Sequence, residues 1–177
     1  DKVLEEVNGI AGKGAKEIVL TGINLGDFGK GISGGKKNEE DFFTLIQELD
    51  RSANIERFRI SSIEPNLLSN TMIEFVSNSK KFMPHFHIPL QSGSNKTLAN
   101  MRRRYTKELF NEKIGLIRML MPHCCIGADV IVGFPGETDE DFNETVQFIR
   151  ELDLSYLHVF TYSERDNTHA VSLKPVV

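Results

Sequence analysis

Cysteine is scarce in this chain of 177 residues, and the two present, Cys124 and Cys125, are neighbours. Adjacent cysteines close a disulfide only with strain, and no third cysteine could pair with either. That excludes a disulfide-built scaffold and points to a reducing, cytoplasmic setting. No C-x-x-C spacing occurs, so both thiols read as buried structural groups. Positive charge is not in excess: 21 Lys and Arg against 25 Asp and Glu leave a net charge of −4. A chain-wide nucleic-acid footprint is therefore absent, and any RNA contact is local or lies on parts outside this sequence. No apolar run approaches the roughly 20 residues of a membrane span. The opening Asp1-Lys2-Val3-Leu4-Glu5 lacks a signal-peptide pattern. The glycine-rich stretch from Gly26 to Lys37 meets neither GxxxxGK[ST] nor GxGxxG, so it reads as a mobile surface loop. No Ser-His-Asp or Cys-His spacing supports nucleophilic catalysis, and no short repeat, low-complexity tract or linker is visible.

What the chain does have is a strand, a tight Gly/Pro loop and a helix between residues 128 and 152. The β-branched run Val130-Ile131-Val132 ends in Gly133, and Pro135-Gly136 follow. Thr138 can cap a helix, with Asp141 three residues on as a variant capping box. The helix's apolar stripe is expected at Phe142, Thr145, Val146, Ile149 and Leu152. In α/β folds the loop after a strand's C-terminal end is where ligands bind.

The same alternation runs along the chain. Helices are expected over residues 2–11, 39–51, 67–77 and 96–101, and from the cap Thr106 to Pro122 with a stripe at Phe110, Ile114, Ile117 and Met121. Strands are expected over 17–20, 57–60, 85–90, 130–132 and 156–162. Strands alternating with helices argue α/β with a parallel sheet, doubly wound or curled as a barrel. The first helical pattern opens without methionine, and 174–177 carry no capping element, which suggests an excised domain of a longer protein.

Five strand ends deliver small or polar groups: Thr21-Gly22-Asn24, Ser61-Ser62-Glu64, Gln91-Ser92, Gly133 and Tyr162-Ser163. In a parallel sheet these ends share one edge, so the groups can converge on one medium-sized polar ligand with a flat apolar part. Among Arg102, Arg103 and Arg104 one guanidinium could hold a carboxylate or phosphate by a bidentate contact. His85 and His87 share a strand face. With no third ligand apparent in sequence they read as packing histidines rather than a metal site.

Six stretches together resemble the radical S-adenosylmethionine domain of the methylthiotransferases. They are Glu17-Ile-Val-Leu-Thr-Gly-Ile-Asn24, Arg59-Ile-Ser-Ser-Ile-Glu-Pro65, His87-Ile-Pro-Leu-Gln-Ser-Gly-Ser94, Met101-Arg-Arg-Arg-Tyr-Thr106, Asp129-Val-Ile-Val-Gly-Phe-Pro-Gly-Glu-Thr138 and Val159-Phe-Thr-Tyr-Ser-Glu-Arg165. The resemblance implies an open, partial (β/α) TIM-like barrel with its first strand missing. It also implies S-adenosylmethionine across the C-terminal strand ends, bound to a [4Fe-4S] cluster. Carried over by motif, Gly22 and Asn24 fall beside the methionyl amino group, and Arg103 suits the methionyl carboxylate. Asp129 or Gln91 suits the ribose, Gly133 lets the backbone approach the adenine, and Glu64, Ser62, Ser92 and Tyr162 complete the candidate cofactor set. The stretches 21–26 and 61–65 look most like the subgroup that acts on threonylcarbamoyladenosine beside the tRNA anticodon.

The family holds its cluster by C-x-x-x-C-x-x-C, which this chain lacks, and Cys124-Cys125 cannot replace it. The resemblance therefore implies a catalytic-core fragment over residues 1–177, inactive alone. The cluster loop, N-terminal domain and C-terminal RNA-binding domain would lie elsewhere. Its implied partners are tRNA and an electron-donor protein, with no membrane. A barrel short of a strand leaves an exposed edge that invites pairing with a second copy. Arg165-Asp166-Asn167-Thr168-His169-Ala170 departs from the family's Arg-Pro-Gly-Thr-Pro-Ala.

Overall fold

A computed structural model describes residues 2–29 and 41–164, together with 170 and 173. Five strands alternate with helices: α1 (Lys2–Gly12), β1 (Glu17–Leu20), α2 (Phe42–Ser52), β2 (Arg57–Ile60), α3 (Asn70–Asn78), β3 (His85–His87), α4 (Asn95–Asn100), α5 (Lys107–Leu120), β4 (Cys125–Val132), α6 (Asp139–Glu151) and β5 (Tyr156–Thr161). A 3-10 turn, Leu25–Asp27, follows β1.

Every strand pairing among the described residues is parallel: β1 with β2, β3 with β4, and β4 with β5. The two ladders are stitched by an isolated parallel bridge, Phe58 with Phe82, and by the Ile63 N–H donating to His87 O at 3.1 Å. Strand order thus follows chain order, β1 to β5. That decides between the two architectures the alternation allows. A doubly wound sheet reverses direction from its first strand, whereas sequential order is the singly wound pattern of a barrel. The barrel is open, with no β1–β5 pairing among the described residues.

Period-two alternation sorts the two faces. Phe58, Ile60, Phe86, Ile126, Ala128 and Val130 are buried, packed with Ile46 and Leu49 of α2, Ile73 and Val76 of α3, and Phe110, Ile114 and Ile117 of α5. Each buried branched or aromatic side chain contributes roughly 1.5–3 kcal/mol by leaving water. The intervening residues form the other face, which is polar: Arg57, Arg59, His85, His87, Asp129, Tyr156 and His158. Arg57 and Arg59 both reach Glu17 of β1, at 3.1 and 2.8 Å.

Helix starts are set by side-chain caps. Asp41, Ser69, Ser94, Thr106 and Thr138 each accept from the backbone three residues on. Thr138 and Asp141 form the full capping box.

Several expectations shift. β3 is three residues rather than six, because Pro89 cannot donate to a ladder and the backbone turns at Gln91. β4 is longer than expected and begins at Cys125, where its N–H bonds Pro84 O. α3 starts at Asn70, after a turn in which Leu67 and Leu68 N–H bond Glu64 O. Phe142 is 43% exposed, so the stripe expected on α6 fails at its first position. The helix buries Asp141 and Thr145 and packs Phe148, Ile149 and Leu152 against the core. The start expected at Glu39 and most of the glycine-rich loop lie outside the described residues.

Candidate cofactor groove at the strand ends

The C-terminal ends of the strands open on a cleft of about 410 Å³ lined by Gln91, Met101, Arg103, Asp129, Ile131, Phe134, Phe160, Thr161, Tyr162 and Ser163. A second recess of about 420 Å³ shares Gln91, Arg103 and Asp129 with it and adds Asn24, Ser62 and Glu64. A third, of about 270 Å³, continues past Arg103 to Asn66 and Asp27. The three form one groove with Arg103 at their junction. One end is walled by Ile131, Phe134, Phe160 and Tyr162, and the Phe134 and Tyr162 rings meet edge-on at 5.3 Å. The other end is amide, carboxylate and guanidinium.

Local structure explains how Arg103 gets there. Arg102 has φ +56, a left-handed turn after α4. Tyr105 is buried, with its hydroxyl donating to Pro89 O at 3.0 Å. Burial pushes that phenol well above its usual range. Between the turn and the anchor Arg103 faces inward, while Arg102 and Arg104 stay exposed. Its Nη1 donates to Glu64 Oε1 at 3.0 Å.

Gln91 is held at φ +67, which costs a non-glycine residue roughly 1–2 kcal/mol. Its backbone is locked from both sides: its N–H donates to Asp129 O at 2.8 Å and its O accepts from Ile131 N–H at 2.9 Å. Strain enforced in this way sits at the groove floor, the kind of place where ligand sites concentrate it.

Asn24, Ser62, Glu64, Gln91, Arg103, Asp129 and Tyr162 all line the groove. Three others stand beside it. Gly22 lies in the exposed loop after β1, with Leu25 close to it. Ser92 is fully buried, its hydroxyl 3.1 Å from Thr145 Oγ1 and in contact with the Ser94 N–H. Gly133, at φ +73, gives its N–H to Glu137 Oε2 at 2.6 Å. Asn24 donates to Asp27. The apolar wall, Ile131 and Phe160 above all, was not expected. Its signal is the register of β4 with β5, which pairs Ile131 with Phe160.

Some polar atoms in the groove wall are buried without a partner among the described residues: Arg103 Nε, Tyr162 Oη and Asn66 Oδ1. Leaving such atoms unpaired is costly, which makes them candidate bonding points for a polar ligand. The donor set suits a molecule with a carboxylate, hydroxyls and a flat ring, as S-adenosylmethionine has. Cys124 and Cys125 do not suit an iron–sulfur cluster. They stand at the N-terminal end of β4, away from the groove, and burial pushes the Cys124 thiol up to about 12.

The family model of the Radical SAM superfamily matches residues 1–149. Threonylcarbamoyladenosine tRNA methylthiotransferase of Bacillus subtilis is 42% identical over 178 residues, covering 100% of this chain and 38% of that protein. The tRNA-2-methylthio-N(6)-dimethylallyladenosine synthase of Pelotomaculum thermopropionicum is 40% identical, covering 98% of this chain and 38% of that protein. The chain thus spans about two fifths of the curated relatives it matches. Coproporphyrinogen III oxidase from Escherichia coli, a radical SAM enzyme, shares the fold with a TM-score of 0.60 at 18% identity, over 73% of this chain and 30% of its own. No helix among the described residues is long and apolar enough to cross a membrane. The chain belongs to the radical SAM superfamily, whose cofactors are S-adenosylmethionine and a [4Fe-4S] cluster, and within it the sequence is similar to the tRNA methylthiotransferases.

Proposed function

We propose that residues 1–177 are the catalytic core of a tRNA methylthiotransferase that modifies an adenosine beside the anticodon, of the threonylcarbamoyladenosine type. The observation that carries this reading is the groove, which joins an apolar wall to a polar end and holds Arg103 Nε and Tyr162 Oη unpartnered among the described residues. The 42% identity to a methylthiotransferase supports the choice of reaction. The stretches 21–26 and 61–65, which support the choice of base, supply Asn24, Ser62 and Glu64 to the same groove.

Held here beside a [4Fe-4S] cluster, S-adenosylmethionine would supply the radical that abstracts the hydrogen of an adenosine C–H, the bond that methylthiolation replaces. The chain's own residues bind and orient. The Arg103 guanidinium, already positioned by Glu64, has donors left for a carboxylate. Gln91 offers an amide and Asp129 acceptor lone pairs to ribose hydroxyls. Ile131, Phe134 and Phe160 keep water off the flat ring. Gly22, Ser92 and Gly133 shape the backbone of the three loops that carry these groups. The cluster's thiolates come from outside these 177 residues, as do the RNA-binding parts, and an electron-donor protein is the further partner. The exposed edge of the open barrel is a place for a second copy to pair.

The test uses the full-length protein that carries this chain, purified without oxygen and reconstituted with iron and sulfide. Incubated with S-adenosylmethionine and tRNA, it should release deoxyadenosine and leave a methylthiolated nucleoside in digested tRNA. Deoxyadenosine without tRNA modification would remove the substrate assignment, and absence of both would overturn the reading.

A further inference from the structure

His87, Asp129 and His158 meet on the polar face of the sheet, from three consecutive strands. His87 Nε2 is 2.9 Å from Asp129 Oδ2, and His158 Nδ1 is 3.2 Å from Asp129 Oδ1. One ligand atom from each of the three residues can be chosen so that all lie within 4.8 Å of one another. We propose that these three residues are a binding site for a divalent first-row transition ion of the Zn²⁺ class, separate from the superfamily's cluster.

Geometry carries the proposal. Metal bonds of roughly 2.0–2.1 Å to nitrogen and oxygen put tetrahedral ligands about 3.3 Å apart. The two imidazoles meet different oxygens of the one carboxylate, and a set with one atom from each residue lies within 4.8 Å, so side-chain rotation alone closes the shell. The scaffold is stiff. Asp129 and His158 are register partners in the β4–β5 ladder, and His87 pairs with Gly127, two residues before Asp129.

The neighbours of the His87 ring can support a ligating state. Its Nδ1 lies 3.2 Å from Tyr156 Oη, and Tyr156 Oη lies 3.3 Å from His85 Nε2. This relay is satisfied in either direction, from His85 to His87 while Nε2–H of His87 donates to Asp129, or reversed when a metal takes Nε2, with His87 Nδ1–H donating to the phenol and the phenol to His85. Nε2 of His87 is then left bare toward Asp129, the tautomer a metal requires. Gly127 makes the relay possible, since a Cβ there would fall 2.0 Å from Tyr156 Cζ. The Arg59 guanidinium on the same face is held by Glu17 at 2.8 Å. Two imidazoles and one carboxylate suit a borderline ion, and the 55% exposure of the His158 side chain leaves coordination positions open to water.

Asp129 also lines the cofactor groove, so the test must not depend on S-adenosylmethionine. The chain is stripped with chelator and titrated with Zn²⁺ against a chromophoric competitor, then with Co²⁺ to read its visible d–d bands. The expectation is one ion per chain, with an affinity that falls at least about ten-fold in His158→Ala and His158→Gln. Cys124→Ser and Cys125→Ser should leave it unchanged, which separates the site from the thiols. His158 is exposed, so its variants fold, and circular dichroism verifies this. Equal affinity in the His158 variants, or no saturable 1:1 binding, overturns the site whatever the fate of the cofactor reading. In that case the triad is a carboxylate clamped by two imidazoles.

Discussion

Arg103 Nη1 lies 3.0 Å from Glu64 Oε1, and the two side chains are only 28% and 27% exposed. The pair spans the groove, tying the loop after β2 to the turn after α4. The Nε of the same guanidinium is unpartnered among the described residues.

Replacing the fork by a point charge should therefore be costly. In Arg103→Lys, affinity for S-adenosylmethionine is expected to fall about ten- to a hundred-fold, the 1.5–3 kcal/mol of a charge-assisted hydrogen bond. Glu64→Gln should lose less, since it keeps an acceptor. Calorimetric titration of both variants checks this, and wild-type affinity in Arg103→Lys would take the guanidinium out of the site.

Asp141 is a buried carboxylate at the head of α6 whose stability contribution is pH-dependent. Burial alone would raise its pKa, but the Lys96 ammonium at 2.7 Å, the Thr138 N–H and the Ser94 hydroxyl outweigh it and hold it down to about 2. A folded-state pKa below the unfolded value near 3.8 means the contribution is present above that pH and lost as pH falls toward 2. Its size is about 2 kcal/mol. Asp141→Asn should destabilise the chain by that order at pH 7 and flatten the stability profile between those two pH values. Denaturant melts across that range would expose a parallel, unflattened profile if the assignment is wrong.

Gly127 leaves room for the Tyr156 ring. Gly127→Ala should displace it and destabilise by about 1–3 kcal/mol. Much of that cost should vanish in the Tyr156→Ala background, because the two residues share one space. Strict additivity of the two changes in urea midpoints would contradict the contact.

The two cysteines should react differently. Cys124 is 2% exposed and its thiol is pushed up to about 12, whereas Cys125 is half-buried. A thiol reagent at pH 8 should label Cys125 in the native chain and Cys124 only after unfolding. Mass spectrometry of the labelled peptide would tell, and equal native labelling of both sulfurs would refute it.

The strand–helix alternation was legible because hydrophobic period changes at each glycine or proline loop, and Thr138 with Asp141 announced the start of α6. Gln91, Arg103 and Asp129, singled out by motif, line one groove because parallel strands bring short segments far apart in sequence to one edge. What sequence could not give was what depends on register. His87 and His85 looked alike on one strand, and no spacing shows that His158, 29 residues beyond Asp129, sits directly across from it. Phe142 misled because helix periodicity treats every apolar residue as inward. At that turn of α6 the inward residue is instead Asp141, which bonds Ser94, and the expected Thr145 follows it inward to bond Ser92 and the Gly93 N–H.

Alternation along β4 has one more consequence. Ala128 and Val130 face the helices while Gly127, Asp129 and Ile131 face the groove and the histidines, so chemistry and core are interleaved residue by residue. A single inserted or deleted residue in this strand would not merely misplace a ligand. It would turn a carboxylate into the hydrocarbon interior and an alkyl group into the ligand face. The strand can drift in sequence but not in length, and the groove can be retuned only by substitution in place.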